Sequence, residues 1–229
     1  MNFLRPRLLT IASLVSDGEV VADIGTDHAY LSIYLAKANK AKKIYATDIA
    51  KKPLEVAKNN IDSFNVSDKV ETLLENGISW TKSRNIKISS CIIAGVGSST
   101  ILDILKNDND NIDCYIISSN TNLDPIREWV KKNKYYVEKE VIVLDNDIIY
   151  ELMKVNKYAG QKIRTKQDLV FGPILKKDKQ NKLFLERWMK EEQKLHLLLT
   201  KIPEHTKKHK QYKKRERFIK KMLKKEINK

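Results

Sequence analysis

The stretch Val20-Val21-Ala22-Asp23-Ile24-Gly25-Thr26-Asp27-His28-Ala29-Tyr30-Leu31 constrains this chain more than any other. It opens as a short apolar run rich in β-branched residues, the pattern of a buried strand. It closes in an acid, a glycine and a polar cluster. It then runs into Tyr30-Leu31-Ser32-Ile33-Tyr34-Leu35-Ala36, whose apolar spacing suits a helix. A strand that turns through glycine into a helix N-terminus puts free backbone N–H groups beside a cleft. In an open α/β sheet, a nucleotide-like ligand binds there.

The rest of the chain repeats this alternation. Residues 4–16 have helical apolar spacing, stopped by Asp17-Gly18. After the opening strand and helix, 43–48 reads as a strand ending in an acid, and Pro53 suits the first turn of the next helix. Val70–Leu74 is a third strand closed by Asn76-Gly77, and 88–94 is a fourth closed by Gly95-Val96-Gly97. Residues 115–118 form a fifth strand. A helix bearing Ile126, Trp129 and Val130 follows it, and two runs flanking Asp145-Asn146-Asp147 read as a hairpin. The pattern predicts an α/β fold: a doubly wound, mostly parallel sheet of seven strands whose last strand is antiparallel.

Charge separates the chain into two parts, expected as a domain over 1–160 and a second over 161–229. The whole carries 44 Lys/Arg and 29 Asp/Glu; 23 of those bases but only 8 of those acids follow residue 160, leaving 21 of each before it. A neutral globular part is therefore followed by a strongly basic one, which favours a polyanionic partner whose condensed counterions Lys and Arg displace. In this part Phe184, Trp188, Leu195, Leu198, Leu199 and Ile202 recur near every 3.5 residues. Pro203 interrupts, and Tyr212, Ile219, Met222, Leu223 and Ile227 resume the period. Two long helices folded back as an antiparallel, coiled-coil-like pair would bury both stripes. A dimerisation element is the competing reading. The dense lysines of 207–221 oppose it, so a monomer or weak dimer is expected.

Cys91 and Cys114 sit inside apolar runs and are expected to be buried, reduced thiols. No Cys/His cluster has zinc spacing, so no metal is expected. The N-terminal stretch is not a convincing signal peptide, and no run reaches the ~18 apolar residues of a membrane span. A cytoplasmic protein without a membrane partner is expected.

Two cofactor classes use this architecture. A dinucleotide requires three glycines at fixed spacing, so that the backbone can approach a pyrophosphate. Here Gly25 stands alone, with Thr26, Asp27, His28 and Ala29 filling the turn. S-adenosylmethionine has no phosphate; it offers a sulfonium, an amino-acid end, a ribose diol and an adenine. Asp23, Gly25 and Thr26 suit the amino-acid end. Asp48, followed by Ile49, suits the ribose hydroxyls; Asn76-Gly77 suits the adenine, and Ala94-Gly95 lies under the reactive methyl. These positions fall at four successive strand ends, which favours methyl transfer.

The basic C-terminal part makes a nucleic-acid base the leading acceptor. An Asp/Asn-Pro-Pro-aromatic motif, which serves exocyclic amines, is absent after the fourth strand, where Ala94-Gly95-Val96-Gly97-Ser98 stands. A ring nitrogen such as adenine N1 fits better, because its in-plane lone pair needs positioning more than a strong base. Asp27 is the candidate to accept from the neighbouring N6–H and to stabilise the cationic product, with His28 beside it. Tyr30, Val96 and Gly97 are candidate substrate contacts. The competing role for Asp27 is a cap on the following helix. A non-catalytic RNA-binding module on a degenerate methyltransferase fold remains an alternative.

These residues resemble the bacterial tRNA (adenine-22-N1)-methyltransferases, the TrmK family. The most specific match is Ala22 through Leu31. Arg7-Leu8, Thr47-Asp48 with Pro53-Leu54, Asn76-Gly77, and Ala94-Gly95 with Gly97 support it. The resemblance implies a class I (Rossmann-like) methyltransferase domain, S-adenosylmethionine, a helical C-terminal part that helps grip tRNA, and adenine 22 as the target. It adds Arg7 as a contact for the cofactor's carboxylate or an RNA phosphate. The chain departs from the family pattern at Ser32, Lys52 and Asn76, has Val96-Gly97-Ser98 for the family's Met-Gly-Gly and Ser118-Ser119-Asn120 for its Gln-Pro-Asn; the last two stretches lie where the resemblance implies the target base should sit.

Overall fold

A computed structural model describes residues 4–178 and 180–227. It divides into two compact units, Met1–Lys176 and Lys177–Lys229.

The first unit is built on a seven-stranded sheet. Its elements are α1 (Pro6–Leu14), β1 (Glu19–Ile24), α2 (Tyr30–Lys37), β2 (Ala41–Asp48), α3 (Lys51–Ser63), β3 (Val70–Leu74), α4 (Ser79–Ser83), β4 (Ile88–Val96), α5 (Ser98–Leu105), β5 (Ile112–Ser119), α6 (Asp124–Lys132), β6 (Tyr136–Asp145), β7 (Ile148–Asn156) and α7 (Lys166–Phe171). The strand order is β3-β2-β1-β4-β5-β7-β6. The first five strands are mutually parallel, and β7 runs antiparallel to both β5 and β6. The β6–β7 loop has two residues, Asn146 and Asp147, at φ 49° and 61°. Positive φ at both positions makes the turn whose twist matches a hairpin, and Asn and Asp tolerate it best after glycine.

Both sheet faces are covered, which explains the near-continuous apolar strands. In β4, Ile92 joins Ile11, Ile33 and Ile61 from α1, α2 and α3 on one face. Its neighbours Cys91 and Ile93 join Ile101, Leu105, Ile126 and Val130 from α5 and α6 on the other. β5 repeats the alternation with Ile116 against Tyr115 and Ile117. Cys91 and Cys114 are free and buried. Burial pushes the Cys114 thiol up to about 12.

The charge boundary at 160/161 and the contact boundary differ. Residues beyond 160 stay with the first unit because α7 is tied to α6. The Arg127 guanidinium donates to the Val170 carbonyl at 3.2 Å. Thr165 and Asp168 cap α7 reciprocally. Two short helices, α4 and α7, carry too few turns to leave a periodic apolar signal. The first helix is also shorter than the expected 4–16, since Pro6 fixes its first turn and Val15 is already extended.

The second unit contains α8 (Lys182–Leu199) and α9 (Lys207–Ile227). Their short connection makes the pair antiparallel. Phe184, Trp188 and Leu195 of α8 are buried, as are Ile219, Met222 and Leu223 of α9. The side chain of Ile227 lies outside the described ones. Across the pair, Arg215 meets Glu191 at 3.2 Å and Lys220 meets Glu192 at 3.2 Å. Lys207, Lys208, Lys210, Lys213, Lys214, Arg217 and Lys221 are exposed. Among the described residues no helix is long and apolar enough to cross a membrane. Nor does any group of three or more His, Cys, Asp or Glu among them suit a metal ion.

Candidate functional site

The turn after β1 is organised by Asp23. Its Oδ2 accepts from the Thr26 hydroxyl at 2.9 Å and from the Ser32 hydroxyl at 2.7 Å. Burial raises the Asp23 carboxyl above its ordinary 3.8, and the two hydroxyls pull the other way. Gly25 stands at φ +76°, which allows the chain to reverse here. The N–H groups of Gly25 and Thr26 both go to the Thr47 carbonyl, at 2.8 and 2.9 Å. β2 therefore engages the first two N–H groups of the turn, those of Gly25 and Thr26. Gly25 contributes open space instead, since a Cβ there would meet nothing within 4 Å.

Asp27 does not cap α2. The N-cap is Ala29 at φ 57°, and no side chain bonds to it. Asp27 is itself left-handed at φ 49° and exposed. Its carboxylate lies 3.6 Å from His28 Nε2. The His28 ring stacks on Tyr30 with centroids 5.6 Å apart and planes at 23°. Asn60 of α3 donates to the His28 carbonyl at 3.0 Å, which fixes the backbone beneath the pair. Tyr30 remains 41% exposed although it begins a helix.

The other candidates lie at the C-terminal ends of neighbouring strands. Asp48 closes β2, and its Oδ1 accepts from Ala50 N at 2.9 Å, which orients the carboxylate. Ile49 beside it is 72% exposed, an apolar side chain left out of both cores. Asn76 is exposed; Gly77 is buried at φ +68°, its carbonyl accepting from the Trp80 indole at 3.1 Å. Near the end of β4 the β4–β5 register shifts between Ala94 and Val96, and Gly95 stands at φ +82°. A Cβ on Gly95 would also meet nothing within 4 Å. Bulges at strand ends re-aim the chain beside sites. Gly97 is the N-cap of α5. The strand order β3-β2-β1-β4 thus aligns Asn76-Gly77, Asp48-Ile49, Asp23 to Thr26, and Ala94 to Gly97 along one rim.

Arg7 reaches this rim from α1. Its Nη1 donates to Asn120 Oδ1 at 3.2 Å, and its guanidinium carbon lies 4.6 Å from the centre of the Tyr150 ring. Asn120 follows β5, and its Nδ2 donates to the Gly95 carbonyl at 2.6 Å. Sequence reasoning did not name Asn120 or Tyr150 as site residues. Asn120 does close the Ser118-Ser119-Asn120 stretch, which the resemblance to the family places where the target base should sit.

Comparisons with known proteins identify the family. Residues 4–153 match a family described as a methyltransferase domain. The chain is 30% identical over 197 residues to the tRNA (adenine(22)-N(1))-methyltransferase of Bacillus subtilis, covering 82% of this chain and 81% of that protein. The structure of M. capricolum TrmK in complex with S-adenosyl-homocysteine superposes with a TM-score of 0.88 at 35% identity, covering 97% of this chain and 99% of that one. A Streptococcus pneumoniae protein in complex with S-adenosyl-L-methionine superposes with a TM-score of 0.83 at 28% identity, covering 96% and 100%. With a methyltransferase domain over most of its length and such relatives across nearly all of it, the chain belongs to the TrmK family of tRNA (adenine-22-N1)-methyltransferases.

Proposed function

We propose that this chain transfers a methyl group from S-adenosylmethionine to N1 of adenine 22 in tRNA, in the cytoplasm. The observation that carries the reading is the rim itself, four neighbouring strand ends bearing Asp23 to Thr26, Asp48-Ile49, Asn76-Gly77 and Ala94 to Gly97. The residues fit a cofactor without phosphate. The Gly25 and Thr26 N–H groups are engaged by Thr47, while the Cβ directions of Gly25 and Gly95 are open. When bound, the cofactor supplies an electrophilic sulfonium methyl.

Each residue then has a task. Asp48 accepts from the ribose hydroxyls, and Ile49 covers a face of the adenine whose edge meets Asn76 and Gly77. Asp23 and Thr26 shape the turn that receives the amino-acid end, and Arg7 attracts an oxyanion at the rim. Asp27, free of any capping duty, provides counter-charge to the purine ring as it becomes cationic. The stacked His28–Tyr30 pair offers an aromatic surface to an unstacked base. Tyr30, Val96 and Gly97 border the acceptor. The reaction needs no metal, because alignment and charge stabilisation suffice for displacement at a sulfonium.

The 1–160 part is assigned to catalysis and the basic 161–229 part to the tRNA backbone, which is gripped by charge and shape. Nucleoside mass spectrometry of tRNA treated with enzyme and cofactor tests the reading. N1-methyladenine at position 22 is expected; its absence, together with no binding of S-adenosylhomocysteine by calorimetry, would favour a non-catalytic RNA-binding module.

A further inference from the structure

We propose that Asn120 is a specificity-determining residue of the acceptor site. Its Oδ1 accepts a hydrogen bond from the exocyclic amine of the adenine whose N1 is methylated, and Arg7 is the residue that positions it. The inference rests on the reading that this site methylates adenine N1.

The Asn120 carboxamide is held at both ends. Arg7, which can only donate, approaches Oδ1 at 3.2 Å; the Gly95 carbonyl, which can only accept, takes Nδ2 at 2.6 Å. These partners leave one orientation of the amide, with the oxygen toward Arg7. The backbone is held too, since Asn120 N donates to the Val96 carbonyl at 2.9 Å. One residue on, the Thr121 hydroxyl accepts from Ser98 N at 2.9 Å. The loops after β4 and β5 are thus stapled into one lip. Asn120 is nevertheless exposed, so its remaining oxygen lone pair and N–H stay accessible. An exposed amide immobilised in this way is preorganised for a ligand.

Arg7 is held in turn by Tyr150 of β7, whose ring centre lies 4.6 Å from the guanidinium carbon. The position in the sheet identifies what Asn120 meets. The nucleoside half of the cofactor is assigned to the β2 and β3 ends. β4 and β5 lie on the other side of β1, so their ends border the acceptor. N1 and the exocyclic N6 share one edge of adenine. An acceptor at N6 therefore orients N1 and rejects guanine, which carries a carbonyl at that position and a proton on N1. In the step, the N1 lone pair forms the new bond to carbon as the carbon–sulfur bond breaks. The positive charge passes to the ring, and no proton has to move. The N6–H groups become more acidic, so the bond to Oδ1 strengthens as charge develops.

A chemical double-mutant cycle tests this. Full-length enzyme, wild type and Asn120→Ala, is given tRNA with adenine or with unsubstituted purine at the target position, and kcat/KM is measured. Removing the amine weakens N1 as a nucleophile for both enzymes, so the difference between them is what counts. Loss of the amine is expected to cost wild type about tenfold more than it costs Asn120→Ala. Arg7→Met is expected to shrink that excess while leaving Asn120 in place. If the losses simply multiply, or if Asp27→Asn rather than Asn120→Ala cancels the excess, the assignment is overturned. Binding of S-adenosylhomocysteine by each variant reports folding and the cofactor site. If wild type methylates no adenine in tRNA, the underlying reading falls as well, an outcome distinct from an additive cycle.

Discussion

Ser32 donates its hydroxyl to Asp23 at 2.7 Å across the turn that joins β1 to α2, and both side chains are buried. The helix thereby holds the acid that ends its preceding strand. Burial raises the Asp23 carboxyl above 3.8, so its contribution to stability is present below that value and is lost as pH rises through the raised folded value. Ser32→Ala removes a donor to the charged form and raises the carboxyl further. We expect it to destabilise by about 2 kcal/mol at pH 7 and by less at pH 4. Urea unfolding at the two pH values measures this; an equal cost at both would mean that the hydroxyl does not serve the charged carboxylate.

Asp27 carries no structural duty visible in its turn. Asp27→Asn should lower kcat by about a hundredfold, the scale of a lost electrostatic stabiliser, with little change in affinity for tRNA or S-adenosylhomocysteine. Single-turnover kinetics and calorimetry separate these quantities. Parallel losses in binding and turnover would move Asp27 to a structural role.

Asp48 is held at one oxygen by Ala50 N. If the other accepts from the ribose, Asp48→Ala should weaken binding of S-adenosylhomocysteine by about 10- to 100-fold, the range for hydrogen bonds to a charged group. Calorimetry gives the number directly, and unchanged affinity would remove Asp48 from the site.

Arg127 is buried between Glu140 at 2.9 Å and Glu151 at 2.8 Å. Burial opposes its charge, but the two carboxylates outweigh burial and raise its pKa. Glu140 Oε2 also accepts from Ile174 N and Leu175 N, at 2.8 and 3.1 Å. Arg127→Met would strand two buried carboxylates and should cost about 3–5 kcal/mol. Gly172→Ala should also destabilise, because its Cβ would press on the Glu140 carboxylate and φ is +82°. Thermal melts test both; wild-type stability in either would contradict the packing described.

The exposed lysines of α9 should act through phosphates. Replacing Lys213, Lys214 and Arg217 with Gln is expected to weaken tRNA binding and flatten its salt dependence, without changing affinity for S-adenosylhomocysteine. An unchanged salt slope would exclude these residues from the RNA interface.

The strand ends, the lone Gly25 and the acid at Asp48 were legible because strand and helix periods, glycine and chain order are local properties. The same is true of the α8–α9 stripe and the charge step at 160/161, and the antiparallel hairpin followed from the two apolar runs flanking Asp145-Asn146-Asp147. The tertiary structure decided the rest through contacts distant in sequence. Thr47 takes the Gly25 and Thr26 N–H groups, so Gly25 serves by its missing side chain. α7 joins the first unit because Arg127, 43 residues from Val170, bonds to its carbonyl. Asn120 enters the site because Arg7, 113 residues away, and Gly95, 25 residues away, fix its two ends. Periodicity marks which face of an element is buried; which polar atoms meet across the sheet depends on strand order and register, and those are settled only when the chain packs.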